Sequence, residues 1–265
     1  MKLIDVGVNL LHASFDANRE KVIADAENVG VSPLIITGSS IADSKKARDY
    51  AAGTAGKCYA TVGIHPHNAK TYTSSAIKIL REMAHFPEVG AIGECGLDYN
   101  RNFSPPAMQR ECFEGHIALA AELQLPLFLH ERDAFDDFYA ALVRNRTKIT
   151  RMVVHCFTGT AEQLSHYLDL GCYIGITGWV CDERRGTHLA PLLKTIPRDR
   201  LLLETDAPFL VPRTLPEKPR YNEPKYLPHI ASAVAAILKT DAETVAVETF
   251  RNSLTFFGID EKRTV

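Results

Sequence analysis

The sequence lacks an excess of positive charge. Its 265 residues include 30 lysines and arginines against 32 aspartates and glutamates, so the formal net charge is −2. A protein that binds nucleic acid through bulk charge needs a clear cationic surplus. The composition therefore excludes that class of protein, and any polyanionic substrate must depend on a local basic patch or a bound cation.

Cysteine pairs with metal-binding or redox spacing are also missing. The chain has six cysteines, and no two of them stand in a CxxC arrangement. This excludes a zinc ribbon and a thioredoxin-type motif. Several of the cysteines lie in apolar runs, where a thiol usually serves as a small hydrophobic side chain. We therefore expect a reduced, cytoplasmic protein.

Long apolar segments are absent as well. Asp5 interrupts the first apolar run, which is atypical of a signal peptide. The longest apolar run, residues 230–238, is far too short to span a bilayer. We therefore expect no membrane partner, and we expect the chain to act as a monomer.

Short aliphatic runs recur along the whole chain. Each is mostly apolar rather than alternating, which is typical of strands buried on both faces in a parallel sheet. Helical patterns lie between them, among them residues 15–30, residues 105–123 with Ser104 as N-cap, residues 133–146, and two helices within 223–257. The runs start at Lys2, Pro33, Cys58, Val89, Pro126, Met152, Cys172 and Leu201.

This alternation of strand and helix predicts an α/β fold, a (β/α)₈ TIM barrel, as a single domain over residues 1–265. A doubly wound open sheet is the main alternative. That fold usually carries a GxGxxG motif after its first strand, and none is present here.

Ligand-type residues stand at the predicted strand ends. In such a barrel the carboxyl ends of the strands meet at one mouth and build the active site. A lone histidine at a strand end is usually a satisfied polar residue, but several converging ends are hard to explain that way. Two imidazoles and two carboxylates can hold a divalent cation and leave positions open for water. We predict four metal ligands: Glu94, His130, His155 and Asp206.

Three residues are predicted to be catalytic, namely Asp206, Glu94 and His65. Asp206 follows the last strand, where a carboxylate can take a proton from the attacking water. His65 and His67 flank Pro66 at the end of the third strand. Both can cap the loop by hydrogen bonding, or they can bind an anionic substrate group, which we favour for His65.

Cationic and aromatic residues follow several strand ends and are predicted to contact the substrate. Arg132 comes after the fifth strand, and Trp179, Arg184 and Arg185 come after the seventh. Arginine pairs bidentately with phosphate, and an aromatic ring stacks on a base. A solvated charged loop with one packed tryptophan is the alternative. Further aromatic residues stand beyond strand ends and either form similar walls or simply pack: Tyr99, Phe103 and Phe157.

Taken together, these motifs resemble the TatD family of metal-dependent hydrolases. The matching stretches run in family order and cover essentially the whole chain; they are GIHPH, AIGECGLDYNRN, LFLHERD, VVHCFTGT, YIGITGWVCDERRG, LLLETDAPFL and NEPKYLPHI. The resemblance implies a (β/α)₈ barrel, a divalent metal and hydrolysis of nucleic-acid phosphodiesters. It places Glu94, His130, His155 and Asp206 on the family's metal positions and His65 on a position associated with the substrate phosphate.

Two segments, ITGWVCDERRG and DVGVNL, look most similar to the bacterial TatD branch of the family. That likeness implies 3′-to-5′ exonuclease action on single-stranded DNA, with RNA as a further substrate. It also implies magnesium as the metal and a cytoplasmic role in DNA repair or degradation.

The first strand departs from the family pattern. Many members carry D-x-H-x-H, with two metal-binding histidines, where this chain has Asp5, Gly7 and Asn9. The remaining ligands are harder on average, which favours magnesium or manganese over zinc. The number of metals stays open, because a second ion can still bind through Glu94 and substrate oxygens. Histidines placed at Gly7 and Asn9 are expected to raise zinc affinity.

Two alternative functions remain open from the residues. The same strand-end ligands suit an ester or amide substrate, and D-aminoacyl-tRNA deacylation is one such reaction within the family resemblance. A non-catalytic nucleic-acid-binding protein is the other alternative, suggested by the missing first-strand histidines. The retained Asp206 argues against it, because a binding protein has no need of a base beside the metal. Turnover of an oligonucleotide and of an aminoacyl ester, with and without EDTA, separates the three.

Overall fold

The computed structural model describes residues 1–261. Eight parallel strands pair in chain order, with helices between them. The strands are β1 (Leu3–Val8), β2 (Val31–Ile36), β3 (Cys58–Val62), β4 (Val89–Asp98), β5 (Leu127–Arg132), β6 (Met152–Val154), β7 (Tyr173–Ile176) and β8 (Leu201–Leu203). Each begins within two residues of a predicted start. The predicted (β/α)₈ barrel is confirmed.

The helices alternate with the strands and cover the outside of the sheet. They are α1 (Arg19–Asn28), α2 (Ile41–Ala52), α3 (Ser74–Ala84), α4 (Pro106–Leu123), α5 (Phe135–Asn145), α6 (Ala161–Asp169), α7 (Leu189–Leu193), α8 (Leu227–Leu238) and α9 (Ala242–Phe257). The two helices predicted near the C-terminus are confirmed as α8 and α9. Within the described residues, no helix is long and apolar enough to cross a membrane.

Two predicted helix starts were wrong. The α-helix expected from residue 15 begins at Arg19, after a short 3₁₀ turn at Ala13–Phe15. Ser104 does not cap α4. Its Oγ instead donates to the His67 carbonyl oxygen at 2.9 Å, and Pro105 takes the N-cap position. The tertiary contact to the loop after β3 therefore takes precedence over local capping.

The barrel interior is filled with apolar side chains and is closed at one end by α9. Phe256 and Phe257 pack into the interior cluster, and the Phe256 ring lies 5.2 Å from that of Tyr173. Phe257 also packs against Gly90 at the start of β4, so α9 covers the amino-terminal ends of the strands. Polar side chains are consequently concentrated at the carboxyl ends.

The seam between β1 and β8 depends on a buried carboxylate. Asp5 is fully buried in β1. Its Oδ1 accepts from the Thr205 amide at 2.9 Å and its Oδ2 accepts from the Thr205 hydroxyl at 2.5 Å. Burial raises the pKa of Asp5 to about 7, although the hydrogen bonds from Thr205 oppose that shift. Asp5 thus ties the first strand to the segment that follows the last one.

This raised pKa predicts a pH-dependent contribution to stability. Between the unfolded value of 3.8 and the folded value of about 7, the folded chain holds more proton at Asp5 than the unfolded chain does. The contribution of Asp5 to the free energy of unfolding is therefore largest at low pH, and it declines as the pH rises through 7. Between pH 5 and pH 8 the loss should be roughly 2–3 kcal/mol.

Asp5→Asn cannot ionise, so its free energy of unfolding should fall less than that of the wild type over the same pH range. Urea denaturation at pH 5, 6.5 and 8 measures this difference. The same exchange at the exposed Asp199 controls for the loss of one negative charge. Parallel pH profiles for wild type and Asp5→Asn would contradict the account.

Candidate metal centre

A buried carboxylate in the carboxyl half of β4 lies at the centre of the site. Glu94 is 7% exposed. Its Oε1 lies 3.3 Å from His65 Nε2, 3.0 Å from His130 Nδ1 and 2.9 Å from His155 Nε2. Three imidazoles from the ends of three other strands thus surround one oxygen atom. The donor atoms of His65, Glu94 and His130 all lie within 4.8 Å of one another.

The backbone around Glu94 needs glycine on both sides. Gly93 and Gly96 have φ angles of +141° and +142°, which side-chain-bearing residues rarely adopt. A Cβ at Gly96 would meet the His130 carbonyl, and one at Gly93 would meet the Phe128 carbonyl. The register between β4 and β5 also shifts between Gly93 and Cys95. This local irregularity aims Glu94 into the mouth of the barrel.

The electrostatics of the cluster are those of a cation site. Burial alone would raise the pKa of Glu94, but His65, His155 and a hydrogen bond from His130 hold it well below its ordinary value. Burial alone would lower the pKa of His155, yet Glu94 and Glu204 raise it well above its ordinary value. The carboxylates therefore create a negative potential that holds protons on imidazole when no other cation is present.

The donor atoms of the cluster point to the same conclusion. His130 lies between two carboxylates, with Nδ1 3.0 Å from Glu94 Oε1 and Nε2 3.4 Å from Asp98 Oδ2. His65, Glu94 and His130 thus offer nitrogen and oxygen donors close enough together to share one ion. This mixed donor set fits a divalent metal ion.

Asp206 is held beside this cluster by the first strand. It has a φ angle of +54°, which turns the chain sharply after β8. Its amide donates to the Gly7 carbonyl at 2.8 Å, and its Oδ1 accepts from Asn9 Nδ2 at 2.9 Å. Burial raises the pKa of Asp206 to about 7, with Glu94 adding to the shift and His155 opposing it. Sequence reasoning did not find this role for Asn9.

The structure brings most of the predicted residues to one cavity of about 420 Å³. All four predicted metal ligands line it, and so do the predicted substrate contacts in the loop after β3 and at Arg132, which is the last residue of β5 rather than part of the following loop. The members of the predicted set are Glu94, His130, His155, Asp206, His65, His67 and Arg132.

A larger cavity of about 750 Å³ adjoins the first and shares His155 and Arg132 with it. Trp179 and Arg185 line this second cavity, and the Arg185 guanidinium lies 5.6 Å from the centre of the Trp179 ring. Arg184 is exposed and ion-paired with Asp182 at 3.1 Å. It does not line either cavity within residues 1–261.

Comparison with known proteins identifies the family. The family model described as TatD related DNase matches residues 4–258. The chain belongs to the TatD-related DNase family. The predicted family is thereby confirmed, and with it a hydrolase of the nuclease class.

Two curated relatives are similar to this chain over nearly its whole length. A protein of Klebsiella pneumoniae (strain 342) is 46% identical over 260 residues, covering 97% of this chain and 98% of the relative. One of Pantoea sp. (strain At-9b) is 48% identical over 259 residues, covering 97% and 100%. Both are named 3′-5′ ssDNA/RNA exonuclease TatD.

Solved structures support the same fold. A TatD-family hydrolase from Entamoeba histolytica aligns with a TM-score of 0.87 at 27% identity, covering 97% of this chain and 98% of that one. A TatD homologue from Escherichia coli K12 aligns with a TM-score of 0.89 at 24% identity, with the same coverage of both chains.

Gly7 in β1 makes room for a buried carboxylate. Glu204 is fully buried; its Oε1 accepts from the Cys156 amide at 2.5 Å, and its Oε2 lies 3.4 Å from His155 Nδ1. A Cβ at Gly7 would overlap Oε2, and one at Gly175 would overlap Oε1. A histidine at Gly7 must therefore displace Glu204 before it can bind a metal. The sequence alone did not reveal this obstacle to the expected rise in zinc affinity.

This cradle predicts that Gly7→Ala impairs the site although it removes no functional group. The added methyl should push Glu204 away from His155, and disturbing the partner of a metal-binding histidine typically costs about 10–100-fold in metal affinity or activity. Gly175→Ala should act in the same way. Isothermal titration of the purified variants with Mg²⁺ or Mn²⁺ measures the effect directly.

Gly53→Ala is the matched control, because Gly53 ends α2 and a Cβ there meets only one atom, at 3.4 Å. The double variant Gly7→Ala/Glu204→Asp shortens the carboxylate and should restore part of the affinity. Metal binding at wild-type strength in Gly7→Ala would show that Glu204 does not depend on the cradle.

Proposed function

We propose that this protein is a divalent-metal-dependent 3′-5′ exonuclease that hydrolyses phosphodiester bonds of single-stranded DNA and also of RNA. One observation carries the proposal: in a chain of the TatD-related DNase family, Glu94 Oε1 lies within 3.3 Å of three imidazole nitrogens, in a cavity that Asp206 also lines. The names of the relatives in Klebsiella and Pantoea support the substrate and the polarity.

The proposed metal ligands are Glu94, His130, His155 and Asp206. His155 faces Glu204 through Nδ1, so its proton belongs there and Nε2 keeps the lone pair that a metal needs. His130 faces Glu94 through Nδ1, at 3.0 Å. A divalent cation held by these groups supplies Lewis acidity toward the scissile phosphate and the attacking water.

Asp206 is proposed to accept the proton of the attacking water. It lines the same cavity as Glu94 and the histidines, where a carboxylate can take up a proton from the attacking water. The hydrogen bond from Asn9 fixes one carboxylate oxygen and leaves the other free for the proton. Asp206 can therefore orient the water and remove its proton from a single position.

His65 is proposed to donate to the phosphate rather than to bind metal. Its Nδ1 accepts from the His67 amide at 3.0 Å, so the proton of the neutral ring lies on Nε2, which faces the cavity. Burial lowers the pKa of His65, although Glu94 opposes the shift, and this favours the neutral ring. The loop-capping role and the substrate role thus belong to different nitrogens of one residue.

The nucleic-acid strand is proposed to leave the centre along the larger cavity. His67, held by Asp98 at 2.7 Å, and Arg132 flank the phosphate at the mouth. Arg185 and Trp179 then offer a charge and a ring to nucleotides farther along the strand, and Arg184 lies on the same loop. Stacking and phosphate contacts of this kind tolerate any base sequence.

We further propose magnesium as the metal, with manganese or zinc as weaker substitutes, because carboxylate oxygens make half of the ligand set. Cytoplasmic DNA repair or degradation is the proposed role, which free cysteines suit. We also propose that the protein acts as a monomer.

Removal of a ligand tests the proposed site. Glu94→Gln and His155→Ala should each lower the rate of single-stranded DNA hydrolysis by at least about 100-fold, since a ligand and its charge are lost. Release of labelled mononucleotides measures the rate, and thermal unfolding checks the fold. His85→Ala, an exposed histidine that ends α3, is the control. Full activity in a folded Glu94→Gln variant would sink the proposal.

Polarity and metal preference can be measured together. A digestion time course of 5′- and 3′-end-labelled single-stranded DNA should show stepwise shortening from the 3′ end, fastest with Mg²⁺ and abolished by EDTA. RNA of the same sequence should also be shortened. Cleavage that persists in EDTA would contradict metal dependence, and internal products at early times would contradict exonuclease action.

A further inference from the structure

Two exposed phenylalanines lie against residues that line the cavity, in segments that follow strands on opposite sides of the barrel. Phe103 is 58% exposed and Phe209 is 48% exposed. Phe103 lies in the loop after β4, and Phe209 lies in the segment after β8, four strands away in an eight-stranded barrel. A large apolar side chain gains nothing from exposure to water. Their shared position therefore requires an explanation.

Phe103 packs against a residue of the site. Its ring lies 4.8 Å from the ring of His67, nearly perpendicular to it, and His67 lines the cavity. The neighbouring Ser104 is fully buried, and its hydroxyl bonds to the His67 carbonyl and the Lys70 amide. Buried Gln109 donates to the Ser104 carbonyl at 2.8 Å. The loop is therefore pinned while the ring itself is presented to solvent.

Phe209 repeats this arrangement on the other side. It lines the cavity, and its ring lies 5.5 Å from that of His12, which also lines it. The amide of Phe209 closes a turn to the Asp206 carbonyl at 3.0 Å. Buried Asn222 donates to the carbonyls of Thr205 and Leu210, at 2.9 and 3.3 Å. This ring, too, is exposed on a rigid segment.

The other aromatic candidates do not share these features. Phe157 is 4% exposed and packs against Tyr167. The Tyr99 hydroxyl donates to Asp137 on α5 at 2.6 Å. Neither residue is an exposed apolar side chain, so Phe103 and Phe209 are distinguished by the structure rather than by their position after a strand.

We propose that Phe103 and Phe209 are two base-stacking platforms that hold the nucleobases on either side of the scissile phosphate. The proposal rests on the proposed function, because it takes the phosphate to lie at the Glu94 cluster between them. The occupant is a single strand with unpaired bases, since a duplex has no free base face to offer. Every base has such a face, so the platforms select for strandedness and not for sequence.

The platforms can be tested by combining a substitution in the enzyme with the removal of one base from the substrate. The scissile bond at a 3′ end is flanked by the last and the penultimate base, so the substrates are oligonucleotides with either of these replaced by an abasic sugar. Phe103→Ala and Phe209→Ala should each lower kcat/KM on the intact oligonucleotide by about tenfold, within the range for one lost base stack. The loss should vanish when the base that stacks on the altered residue is absent.

Further variants separate stacking from bulk hydrophobicity. Phe103→Trp should retain wild-type kcat/KM, whereas Phe103→Leu should resemble the alanine variant. Phe86→Ala is the control, because Phe86 is 43% exposed in the loop before β4, at the opposite end of the barrel. A loss that stays the same on both abasic substrates, or a leucine variant as active as wild type, would overturn the inference.

Binding of the same oligonucleotides, measured by fluorescence anisotropy with Ca²⁺ in place of Mg²⁺, keeps the two proposals apart. One outcome is that binding depends on the bases through both phenylalanines while the wild type shows no cleavage in Mg²⁺. In that case the proposed function fails and the stacking platforms stand. If cleavage is normal and neither rate nor binding depends on the bases through these residues, the platforms fail and the proposed function stands.

Discussion

The concentration of negative charge at one end of the barrel is the constraint on which the site depends. Several carboxylates converge there, all buried or half-buried, and an uncompensated buried carboxylate is costly. The structure compensates these carboxylates in three ways: by a raised pKa, by hydrogen bonds from the backbone, or by a neighbouring imidazole. The carboxylates are Asp5, Glu94, Asp98, Glu204 and Asp206. The imidazoles around Glu94 are part of this balance, and so is the affinity for a divalent cation that follows from it.

The first strand shows how this balance shapes the sequence. Gly7 and Asn9, read from the sequence as lost metal ligands, have positive roles in the structure. Gly7 leaves space for the Glu204 carboxylate, and Asn9 fixes one oxygen of Asp206 at 2.9 Å. The Glu204 carboxylate, which follows β8, occupies the space beside Gly7 and faces His155.

The barrel and the gathering of strand-end ligands could be predicted because both depend on short-range patterns. Uniformly apolar runs indicate buried parallel strands, and the geometry of the fold then brings their ends together. The roles of Gly7, Asn9 and Ser104 could not be predicted in this way. The Asn9–Asp206 bond joins residues 197 apart, and Ser104 bonds to a loop 37 residues earlier. Nothing in the local sequence distinguishes such a residue from an ordinary turn or cap residue. The position of Phe209 beside the cavity could not be predicted for the same reason.

The contacts that join the first strand to the segment after the last strand also position the proposed base. The amides of Asp206 and Asn9 donate across the seam to the carbonyls of Gly7 and Ala207, both at 2.8 Å. The side chains of Asn9 and Asp206 meet at the same place, and Asp5 bonds to Thr205 just beneath them. A chain whose first and last strands have not joined therefore has no correctly oriented Asp206, even if Glu94 and the histidines are already together. Because these contacts join the first strand to the segment after the last one and also position the proposed base, weakening the seam should affect catalysis before it affects the rest of the barrel.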